Sequence, residues 1–163
     1  MQKIKKRLRP KRRESHPVIG STIALDTRLS QQNTQFLREH RKLLIDGKWV
    51  AAASGKTFPV YNPATGTLLA QVAEADKDDA AAAVAAARKA FDEGPWRKFS
   101  GAKRTKLLWK LADLIESRLE QFAELESIDN GKPFSVAKVA DVPLTLDMFR
   151  YMGGWATKIS GKT

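Results

Sequence analysis

The side chains that could do chemistry in this sequence are few, and their spacing argues against a catalytic centre built from them alone. The 163 residues contain no cysteine, which rules out a thiol nucleophile, a disulfide and a cysteine metal site. The two histidines, His16 and His40, are isolated, so no metal-ligand spacing is present. Glu116, Glu120 and Glu124 recur every four residues, which indicates one solvated helix face rather than an acid–base pair.

Two glycine clusters near the end of the sequence lack the context of a phosphate-binding loop. Gly153-Gly154 and Gly161-Lys162 are not preceded by a strand. A dinucleotide site needs a Gly-rich turn between a strand and a helix. We therefore expect no catalytic residue and no cofactor-binding residue in this chain.

The first half of the chain predicts a short helix followed by two hairpins over residues 42–73. Ser30 is a plausible N-cap for the helix. Asp46-Gly47 stands between two apolar runs and predicts a two-residue turn, because both turn positions need positive φ. The segment 62–66, with a proline early and a glycine last, predicts the turn of a second hairpin. Two hairpins before the long helical part indicate a small antiparallel layer.

Three to four helices are expected over residues 76–159. Asp76 can cap the first, whose narrow apolar face of small residues implies a close neighbour. Ser100 can cap the second, whose leucines form a broad apolar arc. Trp109 lies about 140° from the centre of that arc, so we expect it to face solvent or a missing partner. The helical run should break over residues 117–120. The narrow face of the first helix consists of Ala80, Val84, Ala87 and Phe91. The broad arc of the second helix consists of Leu107, Leu108, Leu111, Leu114, Ile115, Leu119 and Phe122.

The last predicted helix begins after a clear stop signal. Asn130-Gly131 ends one helix, and Lys132-Pro133 starts the next, because proline is tolerated in a first helical turn. Pro143, inside the new helix, should kink it or remove one backbone hydrogen bond. Apolar residues at spacings of three and four predict one buried stripe. That stripe consists of Val136, Val139, Ala140, Leu144, Met148 and Tyr151.

Charge divides the chain in two. Residues 1–28 hold nine Lys/Arg against two acids, and residues 29–163 hold 20 against 16. We interpret residues 1–28 as a disordered basic extension, because like charges repel and stay solvated. A phosphate-binding arm and an organelle-targeting segment are the alternatives. No apolar run approaches the roughly 20 residues that span a bilayer, so we expect no membrane contact and a cytoplasmic location.

The order and spacing of several short motifs resemble the aldehyde dehydrogenase superfamily, from about Phe36 to the end of the chain. No single motif is diagnostic, but their succession is. Within the family the chain is similar to the NAD(P)-dependent branch that oxidises betaine aldehyde and phenylacetaldehyde. The motifs are IDGKW at 45–49, YNPATG at 61–66, AARKAF at 86–91, KLLWKLADLI at 106–115, LESIDNGKP at 125–133 and FRYMGGW at 149–155.

The resemblance implies an α/β aldehyde dehydrogenase fold, of which residues 29–163 hold the N-terminal hairpins followed by three to four helices. The Rossmann core and the catalytic domain are absent. In the family, a thiolate attacks the aldehyde carbon, hydride passes to NAD or NADP, and water activated by a glutamate releases the acid. That chemistry also needs an asparagine, to which Asn130 is not equivalent. The chain is therefore expected to be inactive alone and to bind no cofactor by itself.

Two peripheral sites follow from the resemblance. Leu144, with Ala140 and Met148 one turn to either side, resembles the wall of the substrate entrance; plain core at helical spacing is the alternative. Asp129, with the backbone near Val60 and Tyr61, resembles part of a monovalent-cation site whose remaining ligand would come from downstream sequence.

Three functional hypotheses remain. The favoured one is the N-terminal part of an aldehyde-oxidising enzyme, with an aldehyde substrate and a homo-oligomer or a complementing chain as partner. The second is a non-catalytic binding or assembly module with a basic polyanion-binding tail, for which salt-sensitive binding would be the sign. The third is one subunit of a split dehydrogenase. Nucleic acid is the less favoured partner, since no folded reader module is present. In all three cases we expect loosely packed elements with apolar area left open.

Overall fold

The computed structural model describes residues 29–39 and 41–161, and the expectations for residues 1–28 and for His40 lie outside them. The predicted order of hairpins followed by helices is confirmed. No helix in the described part is long and apolar enough to cross a bilayer. The elements are α1 (Gln31–Arg38), β1 (Leu43–Ile45), β2 (Lys48–Val50), β3 (Thr57–Tyr61), β4 (Leu68–Ala73), α2 (Lys77–Glu93), a 3-10 turn (Pro95–Lys98), α3 (Gly101–Glu116), α4 (Leu119–Asn130), α5 (Phe134–Val136), a π-helical turn (Ala137–Asp141) and α6 (Val142–Trp155).

Both predicted hairpins form, each as a two-stranded antiparallel sheet. In the β1–β2 hairpin, Asp46 and Gly47 have φ values of 51° and 72°, as a two-residue turn requires. In the β3–β4 hairpin, Gly66 has a φ of 72°. The amide of Arg41 donates to the carbonyl of Gln71 (3.1 Å), which ties the start of the first hairpin to the second.

The N-terminal helix α1 closes a small core between the second hairpin and α4. Ser30 caps α1 as predicted, its hydroxyl accepting from the amide of Asn33. The core itself consists of the buried residues Leu37, Leu69, Ala70 and Ile128. The first helix therefore holds the second hairpin against α4, on the side of the molecule that carries the 125–133 motif.

Helix α2 is anchored at its first turn and open along the rest of its length. Asp76 caps it, and Asp79 completes a capping box by accepting from the amide of Asp76. The same Asp79 carboxylate, which is 7% exposed, accepts from the amide of Ala53 (3.0 Å) beyond the first hairpin. Val84 and Phe91 on the narrow apolar face are 69% and 71% exposed. No close neighbour for this face lies among the described residues.

Removing the Asp79 carboxylate should detach α2 from the hairpin loop. We expect Asp79→Ala to lower the free energy of unfolding by about 2 kcal/mol, because two backbone amides lose their acceptor. Asp78→Ala is the matched control: Asp78 is exposed in the same helical turn and should cost about 0.5 kcal/mol through the helix dipole. Urea titration followed by circular dichroism measures both. Equal losses for the two variants would contradict the anchoring role of Asp79.

The prediction for Trp109 is confirmed in part: half of the side chain is exposed, and the rest contacts α6. The ring packs on α6 within this chain: its indole N–H donates to the carbonyl of Arg150 (3.1 Å). A Cβ added to Gly153 would come within 2.9 Å of the ring, so any larger residue there would force the ring to shift. The buried face of α3 is centred on Ala112, which is 0% exposed, whereas the predicted centre of the arc is open. Helical spacing did not predict this buried face, because the leucines set the apolar pattern of the sequence, whereas small residues such as Ala112 make the contact. Leu107, Leu111 and Leu114 are 40%, 40% and 52% exposed.

The apolar stripe of the last helix is exposed among the described residues, as expected for a segment that leaves apolar area open, and a π-helical turn interrupts the helix within the stripe. The amide of Val142 donates to the carbonyl of Ala137, five residues back. Such a turn adds one residue and rotates everything after it by about 100°. The buried side chains are therefore Ala137, Val142 and Leu146, at spacings of five and four. The interruption expected at Pro143 lies directly before it. The predicted stripe faces outwards, with Val136 44%, Val139 75%, Leu144 65%, Met148 55% and Tyr151 60% exposed.

Apolar area is left open over much of the described part, as expected. No large side chain among the described residues is fully buried. The second small core holds only Ala123, Ala137 and Val142, with Ile115 and Leu119 packed against it. Two small apolar clusters, together with hydrogen bonds and ion pairs between helices, therefore position the elements.

Candidate functional site

The residues predicted for the substrate entrance lie on one open face. Ala140 belongs to the π-helical turn and is half-buried, while Leu144 and Met148 are 65% and 55% exposed on α6. Their spacing of four keeps them on one side of the helix, opposite the side that packs on α3 and α4. Leu144 and Met148 are thus not core within the described residues. The assignment of this face to a substrate entrance stays a prediction.

The residues predicted for a monovalent-cation site are brought together only in part. Val60 and Asp129 line one cavity of about 300 Å³ between α1, the second hairpin and α4. Tyr61 does not line it and is 54% exposed. The described residues hold no cluster of three or more His, Asp or Glu that could bind a metal. The cation site therefore stays a prediction, with Asp129 as its side-chain ligand.

Lys132 is the residue of this region that sequence reasoning missed as a functional candidate. Its ammonium donates to Asp141 (2.6 Å), the last residue of the π-helical turn, and to Glu126 (3.1 Å) of α4. Its backbone is fixed as well: the hydroxyl of Ser127 donates to its carbonyl, and its amide donates to Asn130. These hydrogen bonds, first to Asp141 and then to Glu126, raise the pKa of the Lys132 ammonium. No spacing rule links residues 132 and 141, because Lys132 lies before the first helical residue of this segment and Asp141 ends the π-helical turn nine residues later.

Two of the three glutamates predicted to form a solvated face are exposed, and all three also contact other elements. Glu116 and Asp113 bind the guanidinium of Arg150, which raises its pKa. Glu120 binds the ammonium of Lys138, whose hydrogen bond and charge lower the pKa of Glu120.

Glu124 is half-buried and anchors α1. One of its oxygens accepts from the amide and the hydroxyl of Ser30 and from the side-chain amide of Asn33. The expected solvated face is therefore confirmed for Glu116 and Glu120, which are 53% and 69% exposed, and wrong for Glu124. Each of these acids contacts a donor at least 18 residues away in the sequence. The spacing of residues within a single helix does not predict such contacts.

A dinucleotide does not fit the described residues. Their strands form two separate antiparallel hairpins. The pyrophosphate sites of dinucleotide-binding folds lie where a parallel strand turns into a helix. No step of chemistry is therefore assigned to a cofactor on this segment.

The fold is that of the N-terminal part of a dehydrogenase. An aldehyde dehydrogenase from Bacillus cereus, solved as its NAD+ complex, superposes with a TM-score of 0.80 at 50% sequence identity. The profile of the aldehyde dehydrogenase family matches residues 49–163. This chain therefore belongs to the aldehyde dehydrogenase family, which confirms the resemblance.

Relatives differ in the compartment that their names give. The mitochondrial aldehyde dehydrogenase family 2 member B4 of Arabidopsis thaliana is 51% identical over 124 residues, which cover 76% of this chain and 23% of that protein. Aldehyde dehydrogenase, cytosolic 1, of Elephantulus edwardii is 48% identical over 126 residues, 77% of this chain and 25% of that protein. The Bacillus cereus match covers 83% of this chain and 28% of the solved one. The chain thus spans about a quarter of the length of the relatives it matches.

Proposed function

We propose that this chain is the N-terminal segment of an enzyme that oxidises aldehydes to carboxylic acids with NAD+ or NADP+. The observation that carries the proposal is the family match over residues 49–163, combined with the absence of cysteine from all 163 residues. The matched part corresponds to the hairpins and helices, and the thiol that the family chemistry needs is not in this sequence. The segment then serves the reaction by shape rather than by catalytic groups.

In this proposal residues 29–163 form the family segment and residues 1–28 a separate basic extension. The outward face of α6, with Ala140, Leu144 and Met148, forms one wall of the substrate entrance. Its exposure supports this role, because an apolar face open within this segment is available to line a channel. Asp129, beside Val60, supplies part of a monovalent-cation site.

Partner and location belong to the same proposal. The open apolar face of α2, with Val84 and Phe91, favours a second chain or a second copy as the partner, since such faces usually mark interfaces. A cytoplasmic location is consistent with the cytosolic name of one relative. The betaine aldehyde and phenylacetaldehyde branch remains the proposed substrate class.

A chimeric enzyme tests the proposal. Residues 29–163 would replace the matching segment of the Bacillus cereus aldehyde dehydrogenase, which keeps its own downstream sequence. NADH formation at 340 nm is then measured with phenylacetaldehyde and betaine aldehyde. We expect the chimera to form NADH and the 163-residue chain alone to form none.

Two controls decide the interpretation. The unaltered Bacillus cereus enzyme gives the reference rate, and its sedimentation shows whether the chimera assembles to the same size. A chimera that assembles correctly but forms no NADH with either aldehyde overturns the proposal. Aldehyde-dependent NADH formation by the purified 163-residue chain overturns it as well.

A further inference from the structure

The π-helical turn is held against α4 by an ion pair at each of two positions. Asp141, its last residue, binds Lys132, which directly precedes Pro133. Lys138, its second residue, binds Glu120 near the start of α4. The hydroxyl of Thr145 donates to the carbonyl of Asp141 (2.9 Å), which satisfies a backbone acceptor at the end of the turn. Side chains thus stabilise a turn type that is rare in proteins and frequent at functional sites.

The turn decides which side chains of α6 face outwards. With the extra residue present, Val142 and Leu146 pack inwards while Leu144 and Met148 face out. Conversion of the turn to regular α-helix would rotate α6 by about 100° against α4. The outward wall and the buried face would then no longer consist of the same residues.

Of the two ion pairs, Lys132–Asp141 is the less exposed and therefore the better able to hold the π-helical turn. Its side chain is 30% exposed, and it joins Asp141 to Glu126 on the preceding helix. In the Lys138–Glu120 pair the side chains are 41% and 69% exposed, so water screens that pair more strongly. The Lys132 backbone is also fixed by Ser127 and Asn130, so its ammonium is held in place before it meets Asp141.

We propose that Lys132, through Asp141, is a positioning residue that fixes the rotation of α6 and thereby the shape of the apolar wall formed by Leu144 and Met148. This inference rests on the proposed function, since it assigns the wall to the substrate entrance. It adds a determinant of aldehyde selectivity that does not touch the substrate. Aldehydes wide enough to reach the wall should depend on Lys132, and small aldehydes should not.

The test uses the chimeric enzyme with phenylacetaldehyde as the wide substrate and acetaldehyde as the small one. We expect Lys132→Met to raise KM for phenylacetaldehyde about tenfold, and to change KM for acetaldehyde by less than about threefold, because pocket shape typically decides 10–200-fold in selectivity. The kcat values, normalised to titrated active thiol, should stay within about twofold, since no catalytic group moves. Asp141→Asn should act in the same direction.

Three controls separate positioning from loss of fold. Lys132→Arg retains the charge and should restore the selectivity ratio, whereas general destabilisation would lower the active fraction equally for both aldehydes. Lys110→Met removes an exposed positive charge on α3 and should leave both KM values unchanged. Hydrogen exchange of the amides over residues 137–146 should quicken in Lys132→Met and not in Lys110→Met.

The outcomes distinguish the two proposals. An unsubstituted chimera that assembles but forms no NADH overturns the proposed function, and this inference with it. An active chimera in which Lys132→Met leaves the ratio of the two KM values unchanged overturns only the inference. Equal changes for both aldehydes also overturn it, because they show a structural role without selectivity.

Discussion

Replacement of Gly101 by alanine is expected to lower the free energy of unfolding by about 2–3 kcal/mol, since forced overpacking typically costs 1–3 kcal/mol. Gly101 is the first residue of α3 and lies against the end of α6. A Cβ there would come within 2.5 Å of the carbonyl oxygen and 3.1 Å of the carbonyl carbon of Ala156. Both atoms are backbone, so no side-chain rotation can relieve the clash. The contact between α3 and α6, the most extensive between helices here, must open instead.

Two other glycines of the same helix pair provide the comparison. At Gly153 the nearest atoms belong to the ring of Trp109 (2.9 Å), which can turn aside, so Gly153→Ala should cost less than Gly101→Ala. At Gly154 only the Lys158 ammonium is within reach (3.8 Å), so Gly154→Ala should be neutral or stabilise by up to about 1 kcal/mol.

Urea titration of the 163-residue chain, followed by circular dichroism, gives the ranking. In a background where Trp49, Trp96 and Trp155 are replaced by phenylalanine, the fluorescence of Trp109 should change in Gly153→Ala and stay unchanged in Gly154→Ala. A loss in Gly154→Ala as large as that in Gly101→Ala would show that the two helices do not approach as described.

The second large effect is expected at Asn33, the most buried residue of α1. Asn33 is 4% exposed, and its side-chain amide donates to Glu124 (2.7 Å) and to the carbonyl of Gln121 (2.9 Å). In Asn33→Asp the two donors become acceptors, and a second carboxylate faces Glu124. We expect a loss of about 3 kcal/mol, because two buried acceptors lose their donor and like charges meet. Helix α1 should detach first.

A paired substitution makes this prediction specific. Glu124→Gln supplies an amide that can donate to the new carboxylate, so the double variant Asn33→Asp/Glu124→Gln should regain at least half of the loss. Glu93→Gln, an exposed glutamate at the end of α2, is the control for charge removal. Hydrogen exchange of the α1 amides and urea titration measure the effect. If the double variant is as unstable as the sum of both single variants, the two side chains do not interact.

Much of the local structure was predictable because it depends on neighbouring residues alone. Ser30 and Asp76 cap their helices, since a short oxygen-bearing side chain satisfies free amides wherever it precedes a helix. Gly131 ends α4 with a φ of 79°, a conformation that glycine adopts without steric cost. The family was also predictable, because the order of short motifs identifies it without any knowledge of the contacts that the motifs make.

The faces of the helices were not predictable in the same way. Trp109 was expected to face solvent or a missing partner; it is 50% exposed, but one edge of its ring also packs on α6, where Gly153 leaves room for it. The stripe through Leu144 and Met148 is open, and its spacing alone did not show that Val142 and Leu146 are the residues of α6 that pack inwards. Both predictions assumed that the larger side chains mark the contact and that the helix keeps one period. Small residues at α3–α6 and one extra residue at the π-helical turn violate those assumptions.

The sequence by itself thus determined the caps, the turns, the order of elements and the family of this protein. The tertiary structure decided which surfaces meet. Lys132, in the loop after α4, contacts Asp141 nine residues later, and Ser30 and Glu124 are separated by 94 positions. A turn or a cap depends on the conformational preferences of a few adjacent residues, whereas these pairs form only when the chain brings distant segments together. The direction of the α6 face depends on such pairs, and therefore only the folded chain specifies it.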